Sequence, residues 1–125
     1  MKKLLLVDDE KELLSSLKSN LEALGYSVET ATDGAMALKV ARQSMPDIIL
    51  LDLMLPVLDG YQVLKLLRAD ARYRHIPIVV ITARAEAQDC ALAKECGANG
   101  FLVKPLELET LFAQIRALER NFLGT

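Results

Sequence analysis

Four short segments of this chain end in residues that can handle a phosphoryl group or a hard metal ion. Asp8-Asp9-Glu10 follows the apolar run Leu4–Val7, and Asp52 follows Ile48–Leu51. Thr82-Ala83 follows Ile78–Ile81, and Lys104-Pro105 follows Gly100–Val103. Asp8, Asp9 and Asp52, once gathered, repel one another and their proton affinities rise. A hard divalent cation relieves that repulsion, and Mg²⁺ takes oxygen ligands from carboxylates, water and phosphate. One oxygen of Asp52 then stays free to attack phosphorus. Charge spreads over the equatorial oxygens of a transferred phosphoryl group. Mg²⁺, the Lys104 ammonium and the Thr82 hydroxyl are suitable partners for that charge. The set reads as an aspartyl-phosphate site. Each member also has a plainer reading. Asp at a strand end often caps a helix, Thr82 can do the same, Lys104 can be solvated and Pro105 can open a helix. The plainer reading has to be invoked separately at four segments.

What would gather them is the order of the elements. Lys3–Val7 reads as a buried strand. Leu13, Leu14, Leu17, Leu21 and Leu24 recur at helical spacing, and Gly25 is a natural stop. Tyr26–Ala31 alternates as a strand. Asp33 caps a helix that runs to about Gln43, and Pro46-Asp47 opens the strand Ile48–Leu51. Asp59-Gly60 starts a third helix with Val63, Leu64 and Leu67 inward. Ile76–Ile81 is a strand rich in β-branched residues, a helix follows from about Glu86 to Cys96, and Gly97 closes it. Gly100–Val103 is the fifth strand, and Leu108, Leu111, Phe112, Ile115 and Leu118 form the stripe of the last helix. Strand and helix alternate throughout, which predicts an α/β fold with a parallel sheet covered on both faces. Ligands of such open sheets bind beyond the carboxyl ends of the strands. The fourth helix offers mostly Ala, Leu92 and Cys96 to the core, so it is expected to be the most weakly packed and most mobile element.

Composition narrows the alternatives. The chain has 125 residues, 52% hydrophobic and 26% charged, enough to close one core. Fifteen Lys+Arg against 17 Asp+Glu give a net charge of −2, which argues against a nucleic-acid-binding module. No apolar run approaches the roughly twenty residues of a membrane span. Cys90 and Cys96 fall on different faces of one helix and cannot pair there. Two Cys and one His make a poor structural zinc set, and a reducing, cytoplasmic location is expected. His75 precedes the fourth strand, at the edge opposite the acids, and reads as a loop residue. Arg72, Arg74 and His75 read as a solvated cluster. The glycines make no phosphate-cradling loop.

Four segments in order carry a family resemblance: Leu-Leu-Val-Asp-Asp-Glu (5–10), Asp-Ile-Ile-Leu-Leu-Asp-Leu-Met-Leu-Pro-Val-Leu-Asp-Gly (47–60), Ile-Pro-Ile-Val-Val-Ile-Thr-Ala (76–83) and Gly-Ala-Asn-Gly-Phe-Leu-Val-Lys-Pro (97–105). With them the chain resembles the receiver domain of bacterial two-component response regulators, the CheY-like family. The resemblance runs from about Lys3 to Leu118. It implies a doubly wound, flavodoxin-like sheet of five parallel strands in the order 2-1-3-4-5 with five helices, and one receiver domain over residues 1–125. It implies Asp52 as phosphoacceptor and Asp9 as a direct Mg²⁺ ligand. Asp8 would reach the metal mainly through water, and the Met54 backbone carbonyl would be a further ligand. Thr82 and Lys104 would hold the phosphoryl oxygens. Phe101 stands at the switch-aromatic position, expected to turn inward as Thr82 moves toward the phosphoryl group. The Lys104–Pro105 peptide is expected to be cis. The donor would be a sensor histidine kinase or a histidine phosphotransfer protein, docking near Leu13, Leu14 and the Pro105-Leu106 loop. The output surface would be the fourth helix, fifth strand and fifth helix, facing an unidentified partner. No direct nucleic-acid or membrane contact is expected.

Two features depart from family patterns. Asn99-Gly100 stands where regulators that dimerise through that face often carry an acidic pair. No effector domain is visible after the last helix, so the chain reads either as a stand-alone receiver or as a piece of a longer regulator. Phe122 near the end is expected to be partly exposed. Met54 and Arg84 occupy variable positions beside the site; Arg84 would either shield the acyl phosphate or reach a phosphoryl oxygen. The reading is a signalling domain that catalyses only its own phosphotransfer and dephosphorylation. A magnesium-dependent phosphatase with an aspartyl nucleophile is the enzyme alternative, but Met54 occupies the place of its usual second Asp. A phosphorylation-independent docking module is the third reading, though none of the acids, the Lys or the Thr is missing.

Overall fold

The computed structural model describes residues 2–83 and 86–123. Five strands alternate with five helices: β1 (Lys3–Val7), α1 (Lys11–Ala23), β2 (Ser27–Ala31), α2 (Gly34–Ser44), β3 (Ile48–Asp52), α3 (Gly60–Ala69), β4 (Ile78–Thr82), α4 (Ala87–Glu95), β5 (Gly100–Val103) and α5 (Leu108–Leu118). A π-helical turn, Glu119–Leu123, extends α5. All strand pairs are parallel, in the order β2-β1-β3-β4-β5, as expected of the doubly wound fold.

Successive side chains of a strand point to opposite faces. Leu5, Val7, Ile49, Leu51, Ile78 and Val80 therefore face α2, α3 and α4. Leu4, Leu6, Ile48, Leu50, Val79 and Ile81 face α1 and α5. The three central strands are buried on both sides, which is why they read as unbroken aliphatic runs. Their shared register sets Val7 beside Leu51 and Asp52 beside Ile81, so the polar residues that follow emerge along one edge.

Local chemistry sets the boundaries. Asp33 caps α2 by accepting from the Met36 N–H at 2.8 Å. Asp59 and Gln62 close a reciprocal capping box on α3. Gly25 and Gly97 take φ of 97° and 105° after α1 and α4, conformations that side-chain-bearing residues rarely adopt. The fourth strand starts at Ile78, not at Ile76. The Arg68 guanidinium takes the carbonyls of Tyr73, Arg74 and Ile76, which bends that segment into a turn. As anticipated, α4 is thinly anchored: within it only Asp89 and Ala93 are buried. Leu92, expected to face the core, is instead 42% exposed, because the face of α4 that carries Ala93 is the one turned to the sheet. Phe122 is also exposed. Among the described residues no helix is long and apolar enough to cross a membrane.

Candidate functional site

The carboxyl edge of the sheet collects acids from two strands and a cation from a third. Asp8 and Asp9 leave β1, Asp52 ends β3, and Lys104 follows β5. Asp8, Asp9 and Asp52 each offer a carboxylate oxygen within 4.8 Å of the others. Asp8 and Asp52 are 5% and 4% exposed, whereas Asp9 faces solvent. Each buried acid is oriented by the chain two residues on. The Glu10 N–H donates to Asp8 Oδ1 at 2.9 Å, and the Met54 N–H donates to Asp52 Oδ1 at 2.9 Å. That leaves the second oxygen of each for the Lys104 ammonium, at 2.6 Å from Asp8 Oδ2 and 3.0 Å from Asp52 Oδ2.

The backbone beneath the acids is tightly fitted. The Gly60 N–H donates to the Leu53 carbonyl at 2.9 Å, and a Cβ on Gly60 would come within 2.3 Å of the Asp52 carbonyl oxygen. Only glycine lets α3 start against the end of β3. The Lys104–Pro105 peptide is cis, as expected, and the Lys104 N–H donates to the Thr82 carbonyl at 2.9 Å.

The electrostatics follow from this crowding. Burial pushes the Asp52 carboxyl above its ordinary range. The Met54 N–H and Lys104 oppose the rise, and the Asp8 charge adds to it. Burial alone would pull the Lys104 ammonium down. Its hydrogen bonds to Asp8, Glu10 and Asp52 reverse that and hold it above the usual lysine range. The donor set for a cation is entirely oxygen and carries several negative charges, which suits a hard divalent ion such as Mg²⁺ and not a soft metal.

Of the residues singled out in the sequence, Asp8, Asp9, Asp52 and Lys104 come together here. Thr82 is fully buried as the last residue of β4, next to the Asp52 strand. Met54 lies half exposed just beyond Asp52. Phe101 sits farther down, on β5 opposite Val80, half-buried against the core under α3 and α4. Arg84 lies outside the described residues. Leu13 and Leu106 line a cleft of about 510 Å³ with Glu10, Ala83, Lys104 and Pro105. Leu14 belongs to the core and is only marginally available for docking. His75 lies at the other end of the sheet, beside Asp47. Arg72 pairs locally with Asp70 at 2.9 Å, and Cys90 and Cys96 are free thiols.

Glu10 is a member that sequence reasoning left without a role. Its carboxylate meets Lys104 at 2.9 Å, so three acids share one ammonium. Its position directly after Asp9 was the available signal.

Known proteins agree with this architecture. The sequence model of the response regulator receiver domain matches residues 4–116. The DNA-binding dual master transcriptional regulator RpaA of Synechocystis is 40% identical over 121 residues, covering 97% of this chain and 50% of RpaA. The alkaline phosphatase synthesis transcriptional regulatory protein PhoP of Bacillus subtilis is 44% identical over 96% of this chain and 49% of its own length. The chain thus spans about half the length of these curated relatives. A two-component response regulator from Clostridium difficile superposes with a TM-score of 0.91 at 31% identity, covering 97% of this chain and 98% of that one. Vibrio cholerae chemotaxis protein CheY4 gives 0.89 at 35% identity, over 94% and 98%. Sequence, topology and the acidic strand edge converge, and the chain belongs to the response regulator receiver domain family.

Proposed function

We propose that this receiver works as a phosphoacceptor switch with Asp52 as the acceptor. The observation that carries the reading is the buried Asp52 carboxylate, with one oxygen held by the Met54 N–H and the other 3.0 Å from the Lys104 ammonium. In phosphotransfer, an Asp52 oxygen forms a bond to phosphorus as the donor's phosphohistidine N–P bond breaks. The donor imidazole keeps the bonding pair. Asp8, Asp9, Asp52 and the Met54 carbonyl would hold Mg²⁺, which when bound supplies positive charge to the phosphoryl oxygens. Lys104 and the Thr82 hydroxyl contact those same oxygens. Lys104 is already poised for this, since two of its three present partners, Asp8 and Asp52, are acids that the metal would take over.

The donor is a sensor histidine kinase or a histidine phosphotransfer protein. It docks over the cleft of Leu13, Pro105 and Leu106, which opens beside Lys104. Movement of Thr82 toward the phosphoryl group lets Phe101 turn inward, and the surface of α4, β5 and α5 changes partner. Residues 1–125 act as one receiver unit in the cytoplasm. The output belongs to a partner protein or to a further domain, and this unit does not itself bind nucleic acid.

The test is intact mass after incubation with Mg²⁺ and acetyl phosphate, with Asp52→Asn alongside. One phosphoryl group should be added to the parent, and none to the variant or to the parent in chelator. Undiminished labelling of Asp52→Asn would move the acceptor elsewhere. If the parent takes no phosphate from this donor, a beryllofluoride complex should still form, and failure there as well would reject the reading.

A further inference from the structure

Tyr61 stands in the first turn of α3, next to Gly60. That turn cannot shift independently of Asp52, because Gly60 is hydrogen-bonded to Leu53 at 2.9 Å and lies against the Asp52 carbonyl. From this fixed seat the Tyr61 hydroxyl reaches across to α4. It donates to Asp89 Oδ1 at 2.9 Å, and the Asp89 carbonyl lies 3.3 Å away. Asp89 is in the first turn of α4 and is only 3% exposed. A hydrogen bond to a carboxylate is stronger than one between neutral groups.

The helix at the far end of this bond has little else of its own in the core. Ala93 is its single buried apolar side chain, and Leu92 projects toward solvent. A small methyl anchor gains little from burial compared with the leucines that hold α1 and α5. A directed hydrogen bond in the first turn therefore adds to that small apolar anchor in fixing the position of α4. The span from Asp52 through Gly60 and Tyr61 to Asp89 is made of touching or hydrogen-bonded groups. It runs through α3, while Thr82 and Phe101 stand on β4 and β5.

We propose that Tyr61 is a positioning residue, a latch that ties the first turn of α4 to the end of the acceptor strand. With the latch closed, α4 keeps its resting position. A change at Asp52 reaches α4 through the latch as well as along β4 and β5. The consequence for signalling rests on the phosphoacceptor reading above; the resting latch does not.

The test is amide hydrogen exchange of the unphosphorylated, metal-free protein, comparing the parent with Tyr61→Phe, which removes one oxygen and keeps the ring. Exchange over residues 87–95 should quicken about fivefold, the factor of a typical hydrogen bond, while α1 and α5 keep their rates. Tyr26→Phe is the control. It removes an equivalent hydroxyl, bonded to Glu119 at the other end of the molecule, and should leave α4 unchanged. Unchanged α4 exchange in Tyr61→Phe overturns the latch. So does a uniform quickening of all helices, which would mean general loosening. A second measurement addresses the switch. The α4 amide resonances of free Tyr61→Phe should move part of the way toward their positions in the beryllofluoride complex of the parent, and shifts in unrelated directions would reject a role in switching. If beryllofluoride does not bind the parent, the acceptor reading fails and the exchange result alone decides the latch.

Discussion

Lys104 at the carboxyl ends of the strands and Arg68 near their amino ends are both partly withdrawn from water, and their surroundings differ in kind. Lys104 is held by three carboxylates, those of Asp8, Glu10 and Asp52. Arg68 is held by neutral oxygens, through five hydrogen bonds to the carbonyls of Gly97, Tyr73, Arg74 and Ile76 and to the Asn99 side chain. The guanidinium is a rigid fork that matches fixed acceptors, and the ammonium is a point charge on a flexible stem. The backbone carbonyls around Arg68 cannot move without unmaking the turn before β4. Under the proposed function, the carboxylates around Lys104 would exchange their cation for Mg²⁺. The same requirement, a satisfied cation, thus builds a knot at one end of the sheet and an exchangeable site at the other. Asn99 belongs to the knot. Its Oδ1 accepts from Arg68 at 2.8 Å and from the Ile78 N–H at 2.8 Å. The departure from an acidic pair noted in the sequence therefore has a structural role.

The largest effect is expected from Arg68→Met. It leaves several partly buried acceptors without their donor and should cost about 3 kcal/mol in chemical denaturation. Mg²⁺ should stabilise this variant as much as it stabilises the parent. Lys104→Met should cost about 2 kcal/mol in chelator, because Asp8 and Asp52 lose their counter-ion. Here Mg²⁺ should stabilise the variant more than it stabilises the parent, since no ammonium competes for the Asp8 and Asp52 oxygens and the metal binds more tightly. Equal responses of the two variants to Mg²⁺ in thermal melts would erase the distinction between knot and exchangeable site.

The contrast also explains what could be read in advance. Element centres were legible because aliphatic runs and helical stripes are local signals with a fixed period, whereas the strand order came with the family resemblance. The meeting of Asp8, Asp9, Asp52 and Lys104 was legible because parallel strands share a direction, so their ends share an edge. Contacts made by ordinary surface-type residues at long range were not. Arg68 and Tyr61 look like any polar or half-polar position on an amphipathic helix, and nothing near them names Ile76 or Asp89 as a partner. The early start expected for the fourth strand has the same origin, because Ile76 is β-branched and apolar but its carbonyl is claimed by Arg68. Glu10 was visible beside the acids, yet its contact depends on the reach of a lysine 94 residues away.

A smaller effect separates the two edges by backbone strain. Val57, in the loop between Asp52 and α3, has φ of 71°, and its side chain is 77% exposed. The Leu58 N–H donates to the Pro56 carbonyl at 2.9 Å across it, which closes a tight three-residue turn. A β-branched residue is poorly suited to that conformation. Val57→Gly should therefore stabilise the fold by about 1 kcal/mol, the relief exceeding the added freedom of the unfolded chain. Met45, after α2 at the opposite edge, has φ of 48° but an unbranched side chain, so Met45→Gly should gain less. Matching gains in urea titrations would show that strain is not concentrated beside the acids.

The subtlest difference concerns pH. The Asp52 carboxyl is raised, first by burial, so the folded chain binds more protons than the unfolded chain between the ordinary carboxyl range and the raised value. In that window stability falls as pH rises, and at neutral pH the ionised Asp52 is a net burden on the metal-free fold. Asp52→Asn removes the ionisation. Without metal it should melt higher than the parent at neutral pH, and the gain should shrink as pH drops toward the unfolded carboxyl value. Arg68 has no carboxylate among its described hydrogen-bond partners, so Arg68→Met should lose the same stability throughout that window. An Asp52→Asn gain independent of pH would mean that side-chain shape, not charge, sets the cost of this carboxylate. The carboxyl edge would then resemble the amino edge more closely than the three acids around Lys104 suggest.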